Sequence, residues 1–305
     1  MYRDYYRLSR NAFEISPDPF FFFPTPRHNE ALANLAYGIQ RRKGLVVMTG
    51  EPGTGKTLLI RCLLDVIEKL RIACACVLNT RLSCIEFFQC LLRDLGIACS
   101  SGSKAEMLRH LEGYLAARQR TGSTTVLIVD EGQLLSADLL EELRLLGNLE
   151  TVREKLLQIV LAGQPELDAR LDSPPLRQLQ QRIALRCQLQ PLTREDLGQY
   201  IRRRLEVAGG TAARLFSEPA LDELYAYSRG IPRLINVLCE NCLISASTME
   251  LGCVTPEIVQ ETATDFHLSL VPGGARPTPK PVSRMTMPWV PIEPAPAQIS
   301  TPSAR

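Results

Sequence analysis

LVVMTGEPGTGKTLLIRCLLDVI, residues 45–67, decides how the rest of the chain is read. Leu45–Thr49 is a short apolar run of the kind that forms a buried strand, and it stops at Gly50. From Gly55 to about Leu70 the apolar residues Leu58, Leu59, Cys62, Leu63, Val66 and Ile67 recur at helical spacing. Between strand and helix lies GEPGTGKT, Gly50–Thr57, which fits G-x-x-x-x-G-K-[ST] in the strand-loop-helix setting that gives the motif its meaning. Gly53 and Gly55 allow the backbone to wrap closely, so that its N–H groups and the positive end of the helix face phosphate oxygens. The loop therefore predicts a nucleotide site made by Gly50, Glu51, Pro52, Gly53, Thr54, Gly55, Lys56, Thr57 and Leu58, with Lys56 on the β- and γ-phosphates and the Thr57 hydroxyl on Mg²⁺.

Working outward, a phosphate loop needs a second acidic site at the carboxyl end of a neighbouring strand. VLIVDEGQ, residues 126–133, supplies it. Asp130 is expected to hold Mg²⁺ through water, and Glu131 to orient or deprotonate the attacking water. Strands near 73–78, 126–129, 157–162 and 184–189 alternate with helices near 85–95, 104–118 and 137–149, one after Pro165, and one near 175–182. That alternation predicts an α/β fold: a parallel sheet of about five strands, covered on both faces, in residues 44–192.

Residues 1–43 read as an N-terminal segment, aromatic and proline-punctuated, followed by an amphipathic helix from about Asn29 to Arg41. From Thr193 the pattern turns to helix after helix, with start signals at Thr193, at Ser217 with Pro219, and at Thr255 with Pro256. Residues 193–270 are thus expected to form a small all-helical lid. Residues 271–305 hold nine prolines and little aliphatic periodicity, which predicts a disordered, proline-rich C-terminal tail. Its lone tryptophan, Trp289, suits a short docking peptide.

Lysine and arginine number 35 against 33 aspartates and glutamates, a net charge of +2. No global excess draws the chain to nucleic acid or an anionic membrane, and such a partner would need a local patch. The first residues have charges and prolines where a signal peptide needs an apolar run, and no later run approaches the roughly 18 apolar residues of a membrane span. A cytoplasmic protein without a transmembrane segment is the expectation. The ten cysteines fall largely in apolar stretches, as reduced thiols used as small hydrophobes do. Cys239 and Cys242 have Cys-x-x-Cys spacing but lie within a helical pattern with no second pair, and His28, His110 and His267 are scattered.

The sequence also resembles the AAA+ ATPases of the general secretion pathway protein A (ExeA/GspA) family across about residues 1–268. The likeness is carried by YRLSRNAFEISPDP, RHNEAL, TGEPGTGKT, VDEGQLL, EELRLLGNLET, KLLQIVLAGQPEL, LRQLQQRIALRCQLQPL and GIPRLINVLCENCL. The resemblance implies an AAA+ three-layer core with a helical lid, ATP and Mg²⁺ as cofactors, and an ATP hydrolase working as a homo-oligomer. It implies roles that spacing does not supply. Gln164 falls at the sensor-1 position, Arg233 at the sensor-2 position, and Arg182 in the region of the arginine finger that enters a neighbouring subunit's site, with Arg177 the second choice there.

Members tied to secretion continue into a transmembrane helix and a peptidoglycan-binding domain, whereas this sequence continues into the proline-rich stretch. The function implied is an ATPase that drives or regulates assembly of an envelope secretion, pilus or exopolysaccharide system, with a protein partner in that machinery. The alternative is an ATP-controlled DNA-binding regulator of the transposition or replication-initiator type. The near-neutral charge disfavours a nucleic-acid partner. A non-hydrolysing scaffold is disfavoured because Lys56, Thr57, Asp130 and Glu131 are all present.

Overall fold

The strands at 45–50, 125–129 and 158–163 are buried along their whole length because helices cover both faces of the sheet, whereas the edge strand at 183–189 alternates between buried and more exposed residues. The computed structural model describes residues 2–269 apart from 79–80, 101 and 211–214, so the tail and Trp289 lie outside the described residues. The elements run α1 (Tyr2–Tyr5), α2 (Pro26–Gln40), β1 (Leu45–Gly50), α3 (Lys56–Lys69), β2 (Ala73–Val77), α4 (Cys84–Asp94), α5 (Lys104–Arg120), β3 (Thr125–Val129), α6 (Ala137–Leu146), β4 (Gln158–Gly163), α7 (Pro165–Leu171), α8 (Arg177–Gln180), β5 (Ile183–Leu189), α9 (Arg194–Val207), α10 (Glu218–Ser228), α11 (Pro232–Thr248) and α12 (Pro256–Asp265).

The five strands form one parallel sheet in the order β2-β3-β4-β1-β5. Alternation along β1 divides the core. Val46 and Met48 join Leu59, Ile60 and Leu63 under α2 and α3, while Leu45 and Val47 join the opposite face, packed by α4 to α8 through residues such as Phe87, Leu111, Leu143 and Leu167. The result is three layers. The chain leaves β1 through α3 on one face and leaves the adjacent β4 through α7 on the other. The crevice between the carboxyl ends of β1 and β4 is therefore the switch point where such sheets take ligands.

The expected helix near 175–182 is instead a 3₁₀ turn, Pro174–Leu176, followed by the four-residue α8. The adjacent prolines 174 and 175 lack the N–H donors a continuous helix requires. The helix expected to reach Leu149 stops at Leu146, followed by Gly147.

Helices α9 to α12 share a separate hydrophobic cluster that includes Leu197, Leu205, Leu224, Ile235, Leu238 and Val259. Residues 1–43, read above as one segment, divide here. Tyr2, Leu8, Ala12 and Phe13 pack with α9 to α12, whereas α2 packs on the sheet. Buried Arg204 ties down the first part: its Nε donates to the Ala12 carbonyl (2.6 Å), its Nη2 to that of Glu14 (3.2 Å), and its Nη1 to the Tyr200 hydroxyl (3.0 Å), while the guanidinium lies 4.6 Å from the centre of the Phe21 ring. Neutral acceptors and an aromatic face solvate a cation that apolar packing alone would reject.

Candidate functional site

Gly50–Lys56 turns the end of β1 into α3 with positive φ at Gly53 (83°) and Gly55 (101°), the latter serving as the N-cap of α3. Gly53 is required on two counts. Besides its φ, a Cβ there would lie 2.7 Å from Cβ of Arg233 and 3.0 Å from a methyl of Ile231. The start of α11 thus rests on the loop, and the Arg233 N–H donates to the Gly53 carbonyl at 3.2 Å.

Lys56 is buried, and its Nζ donates to the carbonyls of Gly50 (2.6 Å) and Glu51 (3.0 Å). Burial lowers its pKa, opposed by the carboxylates of Glu131 and Asp130. The Thr57 hydroxyl donates to Oδ2 of Asp130 at 3.0 Å, joining the loop to the end of β3, although β4 separates β3 from β1. Asp130 is only 4% exposed, and burial raises its pKa against hydrogen bonds from the Glu131 N–H and the Thr57 hydroxyl. A hydroxyl and a buried carboxylate side by side form an oxygen donor pair of the kind a hard divalent cation takes.

Glu131 adopts the left-handed conformation (φ 53°), which costs about 1 kcal/mol for a residue with a side chain. Its Oε2 accepts from Nε2 of Gln133 (2.5 Å) and from Nε2 of Gln164 (3.3 Å). Gln164 caps α7 at the end of β4, in the switch-point crevice. Gln133 also accepts the Gln164 N–H on its Oε1 (3.0 Å), and its own carbonyl accepts from Arg170 (2.6 Å). Gln133 stands two residues after Glu131 in VLIVDEGQ, and spacing alone gives its amide no role.

His28, which no motif in the sequence marks, also reaches the loop. Its Nδ1 lies 2.6 Å from the Thr25 hydroxyl and its Nε2 3.3 Å from the Thr54 carbonyl, so the start of α2 grips the phosphate loop. Burial lowers its pKa. With the ring neutral, Nδ1 accepts from Thr25 and Nε2–H donates to Thr54, an assignment set by the hydrogen-bond network. Beside this contact is a cavity of about 160 Å³, lined by Thr25–Arg27, by the segment 190–193 between β5 and α9, and by Asp196. Gly230 closes against that segment, with φ +73° and a position where a Cβ would lie 2.0 Å from the Leu192 carbonyl oxygen.

Lys56, Thr57, Asp130, Glu131, Gln164 and Arg233 are thus brought to one end of the sheet. Arg182 is not. It precedes β5 at Ile183, which pairs with Leu45, while Gly50 pairs with Leu189. Five residues of strand, about 16 Å, separate that level from the phosphate loop. Arg182 is half-buried beside Gly147, and Arg177 opens α8 on the surface.

Among the described residues no group of three or more histidines, cysteines, aspartates and glutamates is placed to hold a metal, and no helix is long and apolar enough to cross a membrane. Cys239 and Cys242 lie one turn apart within α11, their thiols raised by burial, that of Cys242 to about 11.

A family model described as an AAA domain matches residues 39–171. General secretion pathway protein A of Aeromonas hydrophila is 43% identical over 247 residues, which is 81% of this chain and 45% of that protein. The chain therefore spans less than half the length of that relative. Among solved structures, Cdc6p from Pyrobaculum aerophilum matches with a TM-score of 0.62 at 17% identity, over 82% of this chain and 70% of that one. The Aeropyrum pernix ORC2 protein, solved as ADPNP–ADP complexes, matches with a TM-score of 0.60 at 15% identity, over 84% and 72%. At such identities the likeness is one of fold.

Proposed function

We propose that the chain, an AAA-domain protein related to general secretion pathway protein A, binds ATP with Mg²⁺ between β1 and β4 and hydrolyses it. The observation that carries this reading is the 3.0 Å contact of Thr57 with Asp130, which unites the phosphate loop and the acidic strand end across an intervening strand. That oxygen pair fits Mg²⁺, which when bound would neutralise charge on the phosphates. The loop N–H groups and the start of α3 hold the phosphates. Lys56 exchanges the carbonyls of Gly50 and Glu51 for phosphate oxygens. Glu131 orients the attacking water and takes its proton, and Gln164, already within reach of Glu131, lines up the water and the γ-phosphate. The cavity beside His28 receives the base, and Arg233 reaches the phosphates from α11.

The separate cluster under α9 to α12 supports a division at 192/193 into a nucleotide-binding core and a lid, with the first turns of the chain strapped to the lid. The similarity to a secretion-pathway protein supports a client in an envelope machinery, whether secretion, pilus or exopolysaccharide. The site reading is tested by calorimetric titration with ATP, with and without Mg²⁺. Wild-type protein should bind and Lys56→Ala should not, since the ammonium facing the β- and γ-phosphates is gone. A well-folded Lys56→Ala protein with wild-type affinity would refute the site. The client reading is tested by gene neighbourhood, where transposase genes in place of secretion or polysaccharide genes would overturn it.

A further inference from the structure

The sheet register brings all five strand starts to one level: Ala73 pairs with Thr125, Val126 with Gln158, and Leu45 with both Ile159 and Ile183. The segments leading into the strands therefore crowd onto one end of the sheet, opposite the phosphate loop. They read RRKG (41–44), EKLRI (68–72), RQRTGST (118–124), GNLETVREKLL (147–157) and QR (181–182), and hold ten lysines and arginines against three glutamates. That is a net +7 on one end of a chain whose total is +2, leaving a net −5 for the rest.

The segments are knit together. Arg42 pairs with Glu154 and donates to the Gly122 carbonyl (2.7 Å), Gln119 donates to Glu154 (3.0 Å), and Lys155 pairs with Glu150 and donates to the Gly147 carbonyl (3.0 Å). Those pairs occupy two of the three glutamates. Arg41, Lys43, Lys69, Arg71, Arg120 and Arg153 are exposed and have no ion pair among the described residues.

Helices α2, α3, α5 and α6 and the short α8 all end here, and cations favour helix C-termini, each worth roughly half a negative charge. Five such ends offset at most about 2.5 of the seven charges. The apolar residues among the cations decide what kind of anion fits. Leu70, between Lys69 and Arg71, is 38% exposed, and Val152, beside Arg153, is fully exposed at 106%. Aliphatic tips have nothing to contact on a sugar-phosphate backbone, where stacking needs aromatic rings, and Tyr37 at this end has the Lys43 ammonium 6.0 Å from its ring centre. Cations interleaved with aliphatic tips suit the headgroup region of an anionic bilayer.

We propose that this end of the sheet docks on an anionic phospholipid surface, with the phosphate loop facing away from it. The docking face stands on the sheet register and does not depend on the nucleotide reading. Each cation near such a surface strengthens partitioning about fivefold.

The test is co-sedimentation of the full chain with vesicles of phosphatidylglycerol and phosphatidylcholine, with vesicles of phosphatidylcholine alone, and a parallel titration of duplex DNA. The chain should pellet with the anionic vesicles only, and less so as salt rises. A Lys43→Glu, Arg71→Glu, Arg153→Glu triple variant should bind at least about a hundredfold more weakly with an unchanged melting temperature. Val152→Asp alone should also weaken pelleting. Should the triple variant misfold, Arg71→Glu and Arg153→Glu singly should each reduce pelleting severalfold. No pelleting with anionic vesicles, or pelleting indifferent to these substitutions, overturns the proposal. So does duplex binding tighter than vesicle binding and lost in the same variants, which would make the face a nucleic-acid surface.

Discussion

Asp130 keeps its carboxylate where only 4% of the residue is exposed, and burial raises its pKa above the unfolded value. A raised carboxyl contributes stability that is full below the unfolded pKa and is lost as pH rises through the folded one. At neutral pH the nucleotide-free protein therefore carries the cost of a desolvated anion. Asp130→Asn should raise its stability by on the order of 1 kcal/mol in a thermal melt while removing the Mg²⁺ dependence of ATP binding. A lower melting temperature would show that the hydrogen bonds from Thr57 and the Glu131 N–H outweigh desolvation. One position further on the balance differs. Glu131→Gln should retain ATP and lose hydrolysis, because only the handling of water changes. Gln133 holds Glu131 and the Gln164 backbone with opposite ends of one amide. Gln133→Ala should accordingly lower kcat about tenfold to a hundredfold with KM for ATP little changed, and equal losses in both would make it a residue of binding instead.

The start of α11 rests directly on the phosphate loop, where Ile231 and Arg233 lie over Gly53. Gly53→Ala requires φ +83° of a residue with a Cβ and drives that Cβ to 2.7 Å from Arg233, so α11 must lift or the loop must deform. Calorimetry should show ATP affinity reduced at least tenfold with the fold retained, and undiminished affinity would mean that this contact is free to open. What was legible beforehand follows the range of each interaction. β1 and α3 were readable because strand, loop and helix chemistry are contiguous in LVVMTGEPGTGKT. Asp130 and Glu131 were readable because the strand before them is apolar throughout. His28 was not, since its partner Thr54 is 26 residues away and nothing in its local spacing marks a hydrogen bond to the loop. The division of residues 1–43 was hidden for the same reason: what holds the first turns is Arg204, some 190 residues later. Gln133 was visible, an amide two residues past Glu131, but spacing does not say that a side chain turns back.

At the scale of the whole molecule the phosphate loop and Arg182 lie at opposite levels of one sheet, about 16 Å apart along the strands. An arginine side chain does not cover that distance, so within one copy Arg182 takes no part in the nucleotide site. The family resemblance nonetheless assigns an arginine of this region to hydrolysis, and Lys56 alone leaves charge developing on the γ-phosphate incompletely neutralised. The two statements agree if Arg182, which precedes the edge strand β5, acts on a second copy through a contact at that edge of the sheet, in a head-to-tail arrangement that closes into a ring or continues as a filament and leaves the cationic segments before the other strands uncovered. Specific ATPase activity should then rise with protein concentration. Arg182→Ala should bind ATP normally and turn over about 10³-fold or more slowly. Mixing it with Lys56→Ala should restore part of the activity, because an intact site on the arginine variant can face an intact Arg182 on its neighbour. Activity per subunit that stays flat on dilution, with no rescue in the mixture, would exclude action between copies and leave the monomer as the working unit.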